Sequence, residues 1–145
     1  MNLSIAVIPD IMCTYAFPIE RVVLSVTAIL SYRGNSPLTN ATGFFFECND
    51  RLYLVSSLHV FIDKENDHYP DRIEIKFHVD PGNATSTTDF SMPLYRDELS
   101  TWIAGTDTAG EIDVAVIEVD RGALPRGVVF FAFTPDNLLG PEETL

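Results

Sequence analysis

His59 and Asp113 are the residues of this chain whose types and surroundings could support chemistry. His59 sits at the end of the run Tyr53-Leu54-Val55-Ser56-Ser57-Leu58-His59-Val60. Asp113 interrupts the otherwise apolar, β-branched run Glu111-Ile112-Asp113-Val114-Ala115-Val116-Ile117-Glu118-Val119. A histidine closing a strand is by itself ordinary, packed or solvated in most proteins. An aspartate inside an apolar strand is less ordinary, because burying a carboxylate is costly unless something pairs with it. A histidine is a natural partner. The carboxylate holds one ring N–H and leaves the other nitrogen free to take a proton, which is general-base chemistry.

The elements that must position this pair are strands. Ala41-Thr42-Gly43-Phe44-Phe45-Phe46 and Tyr53 to Val60 are apolar runs separated by the polar turn Asn49-Asp50-Arg51, the pattern of two neighbouring buried strands with His59 at the end of the second. Arg21 to Leu30 precedes them as a long β-branched stretch, and Asp63-Lys64-Glu65-Asn66-Asp67 follows as a charged surface excursion. Ile73-Glu74-Ile75-Lys76-Phe77-His78-Val79 alternates with period two, which predicts a half-buried strand with His78 on the solvent side. Asp80-Pro81-Gly82-Asn83 is a turn, and Phe90 to Tyr95 is a strand that Pro93 confines to an edge or a bulge. Ile112 to Val119 completes the set. Helical periodicity, repeats and low-complexity tracts are absent from the sequence. The expectation is an all-β fold, a six-stranded antiparallel Greek-key barrel. Val128-Val129-Phe130-Phe131-Ala132-Phe133 reads either as a seventh strand on the same core or as the lining of a groove to a second body.

Thr42-Gly43-Phe44, the Leu54-to-Val60 block and Asp113-Val114-Ala115-Val116 together resemble the trypsin-like (chymotrypsin-fold) serine peptidases, in their bacterial, disulfide-poor branch. The resemblance covers roughly residues 21–120. It implies that His59 is the general base and Asp113 the residue that orients it, in the order histidine, aspartate, serine. It also implies that the barrel is one half of a double-barrel fold. Leu58 before the histidine and Val60 after it depart from the family's usual residues. A larger departure is the nucleophile: after Asp113 the chain contains neither serine nor cysteine. Gly34-Asn35-Ser36-Pro37 imitates the family's Gly-x-Ser-Gly string but precedes His59 and ends in proline, so it reads as an ordinary turn. Thr134 and Thr144 have no glycine-rich elbow around them.

These readings divide the chain into an amino-terminal extension packed on the barrel (1–20), the trypsin-like barrel (21–134) and a truncated inter-barrel linker (135–145). The resulting expectation is the amino-terminal half of a trypsin-like serine peptidase, inactive as this chain, with a protein or peptide as substrate of the whole. The alternative is a non-catalytic trypsin-fold binding or scaffold domain, a pseudo-peptidase. The 145 residues are 46% hydrophobic with ten phenylalanines, enough for one ordinary core. Nine basic residues against a net charge of −12 disfavour nucleic acid and anionic membrane surfaces as partners. No apolar run is long enough to span a bilayer. The two cysteines, Cys13 and Cys48, make no disulfide framework, and the amino terminus lacks a basic region and cleavage pattern, so a cytoplasmic location is expected. His59, His68 and His78 fall in no metal-ligand spacing, and no glycine-rich phosphate loop occurs, so no metal or cofactor is expected. A half-enzyme with a bare flank would associate with itself, and the apolar residues 128–134 are where a homo-oligomer is expected.

Overall fold

A computed structural model describes residues 20–138, so the expectations for residues 1–19 and 139–145, Cys13 among them, lie outside the described residues. Within them the chain is dominated by strands: β1 (Val26–Arg33), β2 (Ser36–Cys48), β3 (Arg51–Ser56), β4 (Arg72–His78), β5 (Thr87–Pro93), β6 (Tyr95–Arg96), β7 (Leu99–Ser100), β8 (Trp102–Asp107) and β9 (Gly110–Val119). Two four-residue helices accompany them, α1 (Arg21–Leu24) and α2 (Leu58–Phe61). Neither helix is long and apolar enough to cross a membrane, a statement that does not extend to strands.

Seven strands form one antiparallel sheet in the order β5-β4-β1-β2-β3-β9-β8, and β6 and β7 make a separate small hairpin. Tight turns explain the antiparallel neighbours. Asn49 and Asp50 both take positive φ, 53° and 64°, between Cys48 and Arg51, the two-residue turn whose twist matches flanking strands. Asp97 and Glu98 do the same at the β6–β7 tip, with φ of 52° and 66°. Gly34, at φ 60°, turns β1 into β2 and donates its N–H to Asp71 at 2.8 Å, so Gly34-Asn35-Ser36-Pro37 is a hairpin turn as expected.

The sheet curls around a single core. Ile29, Phe45, Leu52, Leu54, Ile73, Ile75, Phe77, Ala115, Ile117 and Val119 are buried and lie on every second position of their strands. Phe45 and Phe77 stack at 5.0 Å between ring centroids, and Phe130 covers both at 5.7 Å. Burial of one such ring contributes about 1.5–3 kcal/mol. Gly43 sits where β2 passes closest to this core. A Cβ there would stand 2.9 Å from Ile29 Cδ1, Leu54 Cδ1 and the Val55 carbonyl oxygen, so only hydrogen fits.

The edge strands β5 and β8 share no ladder, so the sheet is not closed by pairing. The chain itself joins them through the β6–β7 hairpin, pinched at its base where Thr101 N–H donates to the Leu94 carbonyl at 3.0 Å and its hydroxyl to the Pro93 carbonyl at 2.7 Å. Pro93 ends an edge strand, where a missing N–H costs no ladder bond.

Three expectations are corrected. Residues 21–24 are a helical turn rather than the start of a strand. Val22 (61% exposed) and Val23 face away from the core, and the buried Ser25 closes the turn by donating to the Val22 carbonyl at 2.7 Å. Trp102–Asp107 is a strand that the sequence pattern did not reveal, because a bulge between Ala104 and Thr106 breaks its alternation. Residues 128–133 join no ladder; they cross the sheet and hydrogen-bond three separate elements. Val129 N–H donates to the His78 carbonyl (2.7 Å), Phe131 N–H to Leu24 (3.2 Å) and Phe133 N–H to Phe45 (3.0 Å). Ala132 is buried and the two valines and three phenylalanines around it are half-buried, so this run covers the protein's own core rather than standing bare.

Candidate active site

β3 ends at Ser56, and the chain turns at once into α2. Val60 and Phe61 anchor that helical turn: both are buried, and Phe61 stacks on Trp102 at 6.0 Å and 13° between ring planes. With one side of the turn fixed in the core, His59 is held on the other, its side chain 60% exposed. The histidine is thus one turn past the strand, on a helix rather than at the strand's last residue.

Asp113 reaches it from β9. The β3–β9 ladder ends at the pair Ser56–Ala115, so β9 overhangs the rim for its first residues. Asp113 is in phase with the inward-facing Ala115, Ile117 and Val119, but above the rim that face meets α2 instead of the core. Both carboxylate oxygens are used there. Across 54 residues of sequence, His59 donates its backbone N–H to Oδ1 at 3.0 Å and its ring Nδ1–H to Oδ2 at 2.8 Å. The ring bond above all, then the backbone bond, hold the Asp113 carboxyl below the usual carboxylate range. This corrects the expectation of a buried carboxylate. The side chain is 58% exposed, and its partner offsets no large desolvation cost.

The arrangement fixes the imidazole with Nδ1 engaged and Nε2 free to accept a proton. A depression of about 370 Å³ opens beside it, lined by Thr39, Asn40, Ala41, Val60, Asp63, Asn66 and His68. His68 stands in that wall with its Nε2–H donated to the Val60 carbonyl at 3.0 Å. His78 shares the outer side of β4 with Glu74 and Lys76 as expected, yet it is half-buried with Nδ1 unpartnered, because Val129 pairs with its backbone and covers it. Thr134 caps the short 3-10 turn Pro135–Asn137, where its hydroxyl meets Asn137 Oδ1 at 3.3 Å. Among the described residues no group of three histidine, cysteine, aspartate or glutamate side chains could hold a metal ion.

Asp63, Asn66 and His68, which line the depression, lie in and just after the segment that reads from the sequence only as a charged surface excursion. Its signal was present as Asp63 and Asp67 flanking a polar run, the composition of a 3-10 turn with a left-handed residue, here Asp67 at φ 52°. Comparison with family models, curated proteins and solved structures finds no match for this chain.

Proposed function

We propose that His59 and Asp113 are the general base and orienting carboxylate of a trypsin-like serine peptidase. In this reading the chain forms the amino-terminal barrel, and the nucleophilic serine is supplied by sequence outside it. The observation that carries the proposal is the two-point grip of one carboxylate on the backbone and ring of one histidine. Counting β5 and β8 as a single strand bent by the β6–β7 hairpin gives the sheet six members, which supports the Greek-key barrel of that fold.

The chemistry follows from the geometry. His59 Nε2 accepts the serine proton as the oxygen attacks a peptide carbonyl, and the imidazolium then donates that proton to the leaving amine. Asp113 keeps Nδ1 protonated and stabilises the imidazolium charge. After Asp113 the sequence contains neither serine nor cysteine. That same observation favours a second reading, a non-catalytic binding or scaffold module that retains the dyad. The partners of either form are polypeptides, and the chain's −12 charge favours basic ones. A cytoplasmic setting goes with both readings.

The source gene and a serine-directed phosphonate distinguish them. A Gly-x-Ser-Gly string encoded downstream, labelled by the reagent in the longer protein and unlabelled after His59→Ala, supports the peptidase. A longer protein without that string, or with labelling indifferent to His59, leaves the binding module.

A further inference from the structure

α2 is too short to hold itself in place. Two backbone bonds close it, Val60 N–H to the Ser57 carbonyl and Ile62 N–H to the Leu58 carbonyl, both at 3.1 Å. A single helical turn is not stable alone, so its neighbours decide where His59 stands. Three consecutive residues are gripped, each by a different element. Asp113 on β9 takes the backbone N–H and ring of His59, and Trp102 on β8 stacks on Phe61. Between them His68 bonds the carbonyl of Val60. A carbonyl only accepts, so His68 donates its Nε2–H, at 3.0 Å. Among the described residues, no side chain other than Asp113 and His68 hydrogen-bonds α2.

His68 is itself fixed. Its backbone N–H and carbonyl exchange bonds of 2.9 and 3.0 Å with those of Asp63. Asp67, at φ 52°, turns the chain back into that bridge. Asn66 Nδ2 donates to Asp63 Oδ2 at 2.7 Å and tightens the same loop. The segment 63–68 is thus a closed unit that returns a ring donor to the helical turn just before it. The last carbonyls of a helix have no partner within it, and the His68 ring supplies one at the residue that follows His59.

We infer that His68 is a positioning residue for His59. It fixes the α2 backbone beside the histidine, and Asp113 sets the ring on that fixed backbone. The inference deepens the peptidase reading and rests on it for the catalytic consequence. The effect on the ring needs no nucleophile.

The test compares His68→Ala with His68→Gln, which keeps an Nε2–H donor, and with Leu54→Ala, which removes fully buried core volume away from α2. His68→Asn, one methylene shorter than glutamine, is a milder second variant with the same expected direction as alanine. Ring nitrogen shifts of His59 are read in the isotope-labelled chain at about pH 8, above the usual imidazole range. They should report one tautomer, protonated at Nδ1, in the unaltered protein, in His68→Gln and in Leu54→Ala. In His68→Ala and His68→Asn they should move toward the average of a tautomer mixture. In a longer protein that supplies the nucleophile, His68→Ala should lower kcat about 10- to 100-fold with KM unchanged within about twofold, and His68→Gln should restore kcat. Unmoved His59 shifts in the alanine and asparagine variants, equal movement in Leu54→Ala, or no rescue by glutamine overturns the inference. Shifts as expected with no turnover in the longer protein would sink the peptidase reading alone. Turnover indifferent to His68 would sink this inference alone.

Discussion

Two charge pairs tie β9 to the neighbourhood of β3, one at each end of the sheet, and they differ in everything except exposure. At the hairpin end Arg51 meets Glu118 through one bond of 3.0 Å, with side chains 62% and 47% exposed. At the other end His59 meets Asp113 at 2.8 Å with 60% and 58% exposed. Exposure alone would class both as weak surface pairs. The difference lies in how the carboxylate is held. Glu118 reaches one side-chain nitrogen, whereas Asp113 binds a ring and a backbone N–H of the same residue. A backbone bond fixes where the ring must stand, so the second pair specifies an orientation and a tautomer. The first specifies neither.

The largest expected effect is on turnover. On the proposed peptidase reading, in which a longer protein supplies the nucleophile, Asp113→Asn should lower kcat by about 10⁴-fold, while Glu118→Gln should leave it unchanged within about twofold. Comparable losses from both substitutions would erase the distinction between the pairs.

Next in size is stability. Leu54 is fully buried on β3 between the two pairs, so Leu54→Ala should cost about 2–5 kcal/mol, read by chemical denaturation. Gly43→Ala should cost about 1–3 kcal/mol by overpacking against Ile29, Leu54 and the Val55 carbonyl. Breaking the Arg51–Glu118 pair should cost no more than about 1 kcal/mol. A Gly43→Ala variant as stable as the parent would mean that the sheet beneath the site yields more than its packing indicates.

The smallest effect, and the one that isolates Asp113, is pH-dependent. Its carboxyl is held below the ordinary value near 3.9 by the His59 hydrogen bonds. A depressed carboxyl stabilises the fold above its unfolded value, and that contribution is lost as pH falls through the lower, folded value. The stability gap between the protein and Asp113→Asn should therefore close with acidification below the usual carboxylate range. Because Asp113 is largely exposed, the gap is small. A gap that widens on acidification would contradict the geometry. Nitrogen shifts of the His59 ring should report the Nδ1–H tautomer in the protein and a tautomer mixture in Asp113→Asn.

The sequence determined the residues of the pair and most of the strands. Period-two burial in Ile73 to Phe77, the Asn49-Asp50 turn and the edge position of Pro93 follow from local rules that need no fold. Aspartate in phase with apolar neighbours was likewise legible at Asp113. Its exposure was not, because that depends on where the β3 ladder stops, at Ser56–Ala115, and the stop is a property of two strands together. The same holds for α2: Leu58 to Phe61 reads as a continued strand until Phe61 finds Trp102 on a strand whose bulge hides it from pattern reading. Residues 128–133 have a strand's composition, yet their partners are isolated backbone groups on three distant elements, which no local pattern encodes. The sequence by itself set residue type, alternation and turn chemistry, since these act over a few neighbours. The tertiary structure decided which carboxylate oxygen meets which nitrogen and which strand edge stays open, because both require segments far apart in the chain to be brought within hydrogen-bonding distance.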